Sequence, residues 1–257
     1  LPLKLTSEAF FKLKAFFLLR EEKKMSLCEL KTENFFALSS DSMCTEFLLK
    51  YEYPWQALPE IGDFILTLQQ NLSPDRFYQH APGVYLAKSV KLFPNVTLMA
   101  PTIICENVEI RPGAFIRGNV FVGPESVVGN STEVKNSIFI GKVQAPHYNY
   151  IGDSILGWGT HCGAGVITSN LRADGADIIV HTEAGGIATH LRKFGAITAE
   201  NVEIGCNAVL NPGSMVGASS RIYPLSSVRK NVPAHSIYKQ DGQIIPLIYE
   251  PDQDMLK

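Results

Sequence analysis
A six-residue beat runs through most of this chain. Stepping by six from Leu86 meets Leu92, Leu98, Ile104, Ile110, Ile116, Val122, Val128, Val134 and Ile140, aliphatic without exception. Two positions before each of them stands a small or aliphatic residue: Val84, Val90, Val96, Thr102, Val108, Ala114, Val120, Ser126, Thr132 and Ile138. Alternation over two positions marks a short strand with one side inward, and the polar, Gly, Pro or Asn residues that follow mark a corner. A second run keeps the form at Ile204, Leu210, Val216, Ile222 and Val228, and Leu156, Cys162 and Thr168 hold the inward position between the two runs. A fixed hexapeptide period is the signature of a parallel β-helix, in which each hexad is one flat side of a coil. With three sides to a coil, about nineteen hexads predict roughly six coils.

The beat fails twice. Ile140 and Leu156 are sixteen residues apart, neither twelve nor eighteen, which predicts a small loop leaving the coil around Lys142 to Pro146. Residues 169–196 cannot be threaded on the period at all and predict a longer excursion. Binding groups concentrate on loops that project from a rigid scaffold, so both breaks are candidate sites.

The remainder divides around the repeat. Residues 1–80 carry no hexads and predict a small helical N-terminal segment; 81–231 form the β-helix; 232–257 form a tail that packs along the column or hangs free. In "LPEIGDFILTLQQNLSP", Leu58, Ile61, Ile65, Leu68 and Leu72 share a helical face between Pro59 and Pro74. This helix is expected to cover the open end of the first coil, whose unpaired strand edges invite aggregation. The fold class is therefore mainly β.

Composition narrows the function. The chain is 46% hydrophobic and 19% charged, a soluble globular balance, and a formal charge of −2 supplies no basic surface for nucleic acid. No run of 18 apolar residues is present to span a membrane. The N-terminal "FFKLKAFFLLREEKK" is broken by Lys12 and Lys14 and reads either as a short amphipathic helix or as sequence upstream of a natural start at Met25 or Met43. Five scattered cysteines without a CxxC pair argue against a disulfide framework or a structural zinc site, and point to reduced thiols and a cytoplasmic location.

Three strings carry chemistry: "VVGNSTEVKNSIFIGKVQAPHYNYIGDSILG", "GAGVITSNLR" and "RKFGA". Across residues 80–240 they resemble the left-handed β-helix acetyltransferase half of N-acetylglucosamine-1-phosphate uridyltransferases and stand-alone sugar-phosphate relatives. The hexad period alone is shared by many acyltransferases and some carbonic anhydrases. The H-x-x-Y-x-G-D string, fourteen residues after the glutamate of "STEVK" and followed by GAG-x-I-T-x-N, is the specific part. The resemblance implies a left-handed column, a homotrimer and an acetyl-CoA site in a groove between subunits, with a sugar phosphate as the other small-molecule partner.

The resemblance also implies roles. His147 matches the general base, suited to take a proton from an amine attacking a thioester. Arg117 and Lys135 match the cations that hold the phosphate, Arg by bidentate recognition and Lys as a point charge. Tyr150 matches a tyrosine that hydrogen-bonds the sugar phosphate, and Asn170 an asparagine at the sugar or its amine. Gly163, Ala164 and Gly165 offer backbone N–H groups for the oxyanion and the acetyl-CoA. Glu133, His161 and Arg172 stand beside these in sequence. Asp153 reads as a turn residue after Gly152. Two departures matter: His161 replaces the family's asparagine, and Ala176 a substrate-binding lysine.

The leading expectation is an acetyl-CoA-dependent acetyltransferase for an amino-sugar phosphate, with no metal required. Nucleotidyl transfer needs a large glycine-rich nucleotide-binding domain, and residues 1–80 contain one glycine. A zinc hydratase on the same scaffold needs three convergent histidines, yet no two histidines here fall five apart. A non-catalytic scaffold or regulatory subunit is the third class.

Overall fold
The computed structural model describes residues 25–248. Residues 1–24, including the Lys12 and Lys14 stretch, lie outside the described residues, as do 249–257.

Short strands stack in parallel on three flat faces. The first face contains Val84–Ala87, Thr102–Ile104, Val120–Val122, the ends of Glu133–Phe139 and Tyr150–Leu156, then Ala196–Thr198 and Ser214–Val216. On the second lie eight parallel strands from Lys91–Leu92 through Gln144–His147 and His161–Cys162 to Ser236–Tyr238. The third runs from Thr97–Leu98 through Phe115–Ile116, the starts of the two long strands and Ile167–Thr168 to Ser227–Val228. This is the parallel β-helix that the hexads predict, but with eight coils on the second face rather than six. Inside, Leu86, Ile104, Val122, Phe139 and Leu156 form one apolar column, which passes one hydroxyl, buried Thr198, before Val216, with Val128, Ala145, Cys162 and Ile204 in the next column.

The first break is not a loop. Gln144 and Ala145 pair in register with Val127 and Val128, and His147 with Asn130. The inward residue is Phe139, not Ile140, and the sixteen-residue gap arises because two corners are one residue short. From Val134 to Phe139 and from Ile151 to Leu156 the step is five instead of six. The six-residue corner one coil before them turns on two left-handed residues, Gly118 (φ 92°) and Asn119 (φ 51°); the short ones turn on one each, Asn136 (φ 44°) and Asp153 (φ 48°). Hydroxyls satisfy the backbone there: Ser137 donates to the Lys135 carbonyl and Ser154 to that of Gly152, both at 2.8 Å. The second break is a true excursion. It leaves the column after Asn170, makes an antiparallel hairpin of Ile179–Thr182 and Gly185–Ala188, and closes where Leu171 bridges Lys193.

The N-terminal segment lies along the column's flank and does not cover its end. Two one-turn helices, α1 (Thr32–Phe35) and α2 (Thr45–Leu48), precede a 3-10 helix, Pro54–Glu60, and α3 (Ile61–Gln69). The outward side of the first face is an apolar column in register, Tyr85, Ile103, Phe121, Ile138, Ile155, Ile197 and Met215. Against it pack Leu30, Phe47, Trp55, Leu58, Ile61, Phe64 and Ile65, forming a second core. Both sides of this face are therefore apolar, as a strand buried on two sides requires. The edge of the first coil is covered by a strand, Phe77–Ala81, antiparallel to Val84–Ala87. The described part of the tail, residues 232–248, neither hangs free nor lies alongside: Ser236–Tyr238 adds a further coil, Ile244–Pro246 folds back on it, and buried Tyr238 plugs the core.

Candidate functional site
The third face carries two outward rows that climb the column side by side. One holds Phe115, Glu133, Tyr150 and Ile167; the other holds Arg117, Lys135 and Gly152. Stacking in register brings residues 18 or so apart in sequence into contact. Arg117 Nη1 meets Glu133 Oε1 at 2.9 Å, which holds the guanidinium's pKa above its ordinary value. Lys135 Nζ meets Asp153 Oδ2 at 3.1 Å. Asn170 Nδ2 donates to Asp153 and, at 3.3 Å, to the Tyr150 hydroxyl. The Tyr150 ring folds over Gly152, where an added Cβ would stand 2.7 Å from the hydroxyl, so only glycine fits beneath it. The face thus carries an Arg117–Glu133 pair beside a hydrogen-bonded set of Lys135, Asp153, Asn170 and Tyr150.

Asp153 is the member that motif reading missed. It does turn the corner as expected, but its buried carboxylate also accepts hydrogen bonds from Lys135, Asn170 and, at 3.0 Å, Asn136 Nδ2. The phase slip was the available signal, because it marks the two corners where the column departs from its own rule.

His147 stands at the end of the second face, where the chain turns toward Tyr150. Its carbonyl accepts the Gly165 N–H at 3.0 Å, and its N–H donates to Asn149 Oδ1 at 3.1 Å. Asn149 is buried and also donates to the Gly163 carbonyl at 2.8 Å, so one amide fixes the corner from inside. The imidazole is exposed and makes no hydrogen bond among the described residues. By the Gln144–His161 register, Ala164 lies level with position 147 in the next coil. The N–H groups of Gly163 and Gly165 are taken by the carbonyls of Ile204 and His147, so of the three expected oxyanion donors only Ala164 keeps its N–H out of the ladder.

Three other expected residues lie elsewhere. His161 is on the second face, its Nδ1 2.9 Å from Glu203 Oε2. Arg172 is on the excursion, paired with Asp174, whose carboxyl it holds well below the usual range. Lys142 sits at a different edge, 3.5 Å from Glu125 and above the Trp158 ring. A cavity of about 540 Å³ opens beside Asn170, between the excursion and the last coils, lined by Arg172, His181, Asn211 and Arg229. His147 lies outside it, on the edge between the second and third faces. That edge and its flanks expose Phe93, Phe115, Tyr148, Ile167, Tyr223 and Leu225, the last at 67% and Tyr148 at 66%. Among the described residues, no three His, Cys, Asp or Glu side chains converge on a common metal position.

Comparison with known proteins follows these lines. The model of the GMPPB C-terminal domain matches residues 98–185. The bifunctional protein GlmU of Methanococcus vannielii is 38% identical over 137 residues, which cover 53% of this chain and 33% of that protein. A bifunctional sugar-1-phosphate nucleotidylyltransferase/acetyltransferase of Sulfurisphaera tokodaii is 32% identical over 163 residues, 56% of this chain and 41% of that one. The chain thus spans well under half the length of these curated relatives. A hexapeptide transferase family protein from Anaplasma phagocytophilum superposes over 65% of this chain and 82% of its own, at 16% identity and a TM-score of 0.43. Over 53–56% of its length the chain is similar in sequence to these bifunctional proteins, and its own strands build a parallel β-helix of hexapeptide repeats.

Proposed function
We propose that this chain is an acetyl-CoA-dependent acetyltransferase acting on an amino-sugar phosphate, working as a homotrimer with its sites at the seams. The observation that carries the reading is the gathering of Arg117, Lys135, Tyr150 and Asn170 on the third face, Arg117 paired with Glu133 and the other three linked through Asp153, beside an edge that presents an unencumbered imidazole. The cations take the phosphate, and the phenol and amide take sugar hydroxyls or the amine.

In the reaction the amine nitrogen bonds to the thioester carbon as His147 removes its proton. The tetrahedral oxyanion meets the Ala164 N–H. Collapse breaks the carbon–sulfur bond, and the imidazolium returns its proton to the departing thiolate. A base on an open edge needs a second wall to exclude water, and the exposed apolar residues flanking His147 suit a second copy of the chain.

The competing reading is a non-catalytic scaffold. It is favoured by Ala176, exposed on the excursion where the family resemblance implies a lysine. Turnover assays with acetyl-CoA and a panel of amino-sugar phosphates decide between them. Turnover that disappears with His147→Ala while the oligomer persists supports catalysis, and no turnover with any acceptor supports the scaffold.

A further inference from the structure
We propose that Asp153 is the positioning residue of the third-face site and that the N-terminal segment holds it in place through Asn136. The inference deepens the acetyltransferase reading and rests on it. Asp153 is given no contact of its own with substrate; it acts through the two side chains it anchors, Lys135 and Asn170. Lys135 Nζ lies 3.1 Å from one carboxylate oxygen, the same oxygen to which Asn170 donates, and Asn136 Nδ2 lies 3.0 Å from the other. The carboxylate is only 4% exposed, so its charge is compensated by a fixed set of donors and not by water.

The short corners create this arrangement. Each drops one residue relative to the neighbouring coils, and each turns on a left-handed residue, Asn136 below Asp153. Left-handed backbone suits Asn and Asp, whose short polar side chains are the ones used here. Asn136 Nδ2 is also 3.2 Å from the Leu58 carbonyl, in the 3-10 helix that packs on the first face. A continuous chain of contacts therefore runs from the N-terminal segment through Asn136 and Asp153 to Lys135 and Asn170, and from Asn170 to Tyr150. The segment that shields the flank also sets the position of the groups proposed to grip the acceptor.

The test uses the full chain with Asp153→Asn and Asn136→Ala, glucosamine 1-phosphate as acceptor and acetyl-CoA as donor. Lysine reactivity toward an N-hydroxysuccinimide ester, mapped by mass spectrometry, reads the anchoring without needing turnover. Asp153→Asn is expected to raise labelling of Lys135 by about threefold, with other lysines unchanged. It should raise KM for the acceptor by about tenfold and leave KM for acetyl-CoA unmoved, a split that general destabilisation would not give. Asn136→Ala keeps the Lys135 pair and should shift both readouts in the same direction by less, adding nothing in the double variant. If Asp153→Asn fails to fold, the Asn136→Ala result stands alone as the test. Unchanged Lys135 labelling in every folded variant overturns the proposal, as does a matching rise in both KM values. Wild-type protein without turnover, but with labelling that still responds, overturns the acetyltransferase reading and leaves the anchoring intact.

Discussion
His147 and Asn149 divide the labour at one corner. The imidazole is exposed and makes no hydrogen bond among the described residues, whereas the buried amide two residues on makes the side-chain bonds that fix the turn. His147→Ala should therefore lower acetyl transfer by about 10²- to 10⁴-fold with the melting temperature nearly unchanged. Asn149→Ala should do the reverse in kind, costing about 1–3 kcal/mol of stability by leaving buried backbone groups unpaired, as read by chemical denaturation. The thiols make a second residue-scale contrast. Burial pushes Cys162 up to about 12 and Cys44 up to about 11, and Cys105 is raised for the same reason. Cys28 and Cys206 are exposed. Alkylation of the native protein should modify Cys28 and Cys206 alone, and the other three should react only after unfolding.

Strand pairing explains what the sequence made legible and what it hid. The inward ladder was readable because each strand repeats one requirement, an aliphatic side chain filling the same layer. Its phase beyond Val134 was not, because Ile140 and Phe139 are both apolar and both buried, one against the N-terminal segment and one inside the column. A rule that asks only for apolar residues every six positions cannot see a deleted corner residue. The strip of Arg117, Lys135, Tyr150 and Asn170 was found by motif, yet its hub was taken for a turn. Turn chemistry and ligand chemistry ask for the same aspartate. The outward column from Tyr85 to Met215 also had a signal, an apolar residue in the outward position of every third hexad, which became meaningful only once coils were counted. At this scale Glu200 supplies a pH test. It accepts the Ala37 N–H across the join between segment and column, and burial pushes its carboxyl up. A carboxylate raised in the folded state costs stability while ionised and stops costing it as pH falls through the folded and then the unfolded value. Glu200→Gln keeps the acceptor and removes the charge. The wild-type melting temperature should therefore rise relative to the variant as pH falls from neutrality through the carboxylate range.

At the scale of the molecule the column has two closed ends and unequal flanks. Tyr238 and the returning strand Ile244–Pro246 close one end, and the antiparallel strand Phe77–Ala81 closes the other. Removing residues before Pro82 would strip both the first edge strand and the cover from the outward apolar column, and such a truncation should aggregate in light scattering, where the full chain stays monodisperse. A truncated chain that remains monodisperse would contradict the flank assignment. The cover also has a geometric consequence. A three-sided prism with one wall already occupied by its own chain has two walls left for copies of itself, enough to close a small ring and too few to branch into a lattice. Every such ring would wear its N-terminal segments on the rim, facing outward, as far from the central axis as the molecule allows.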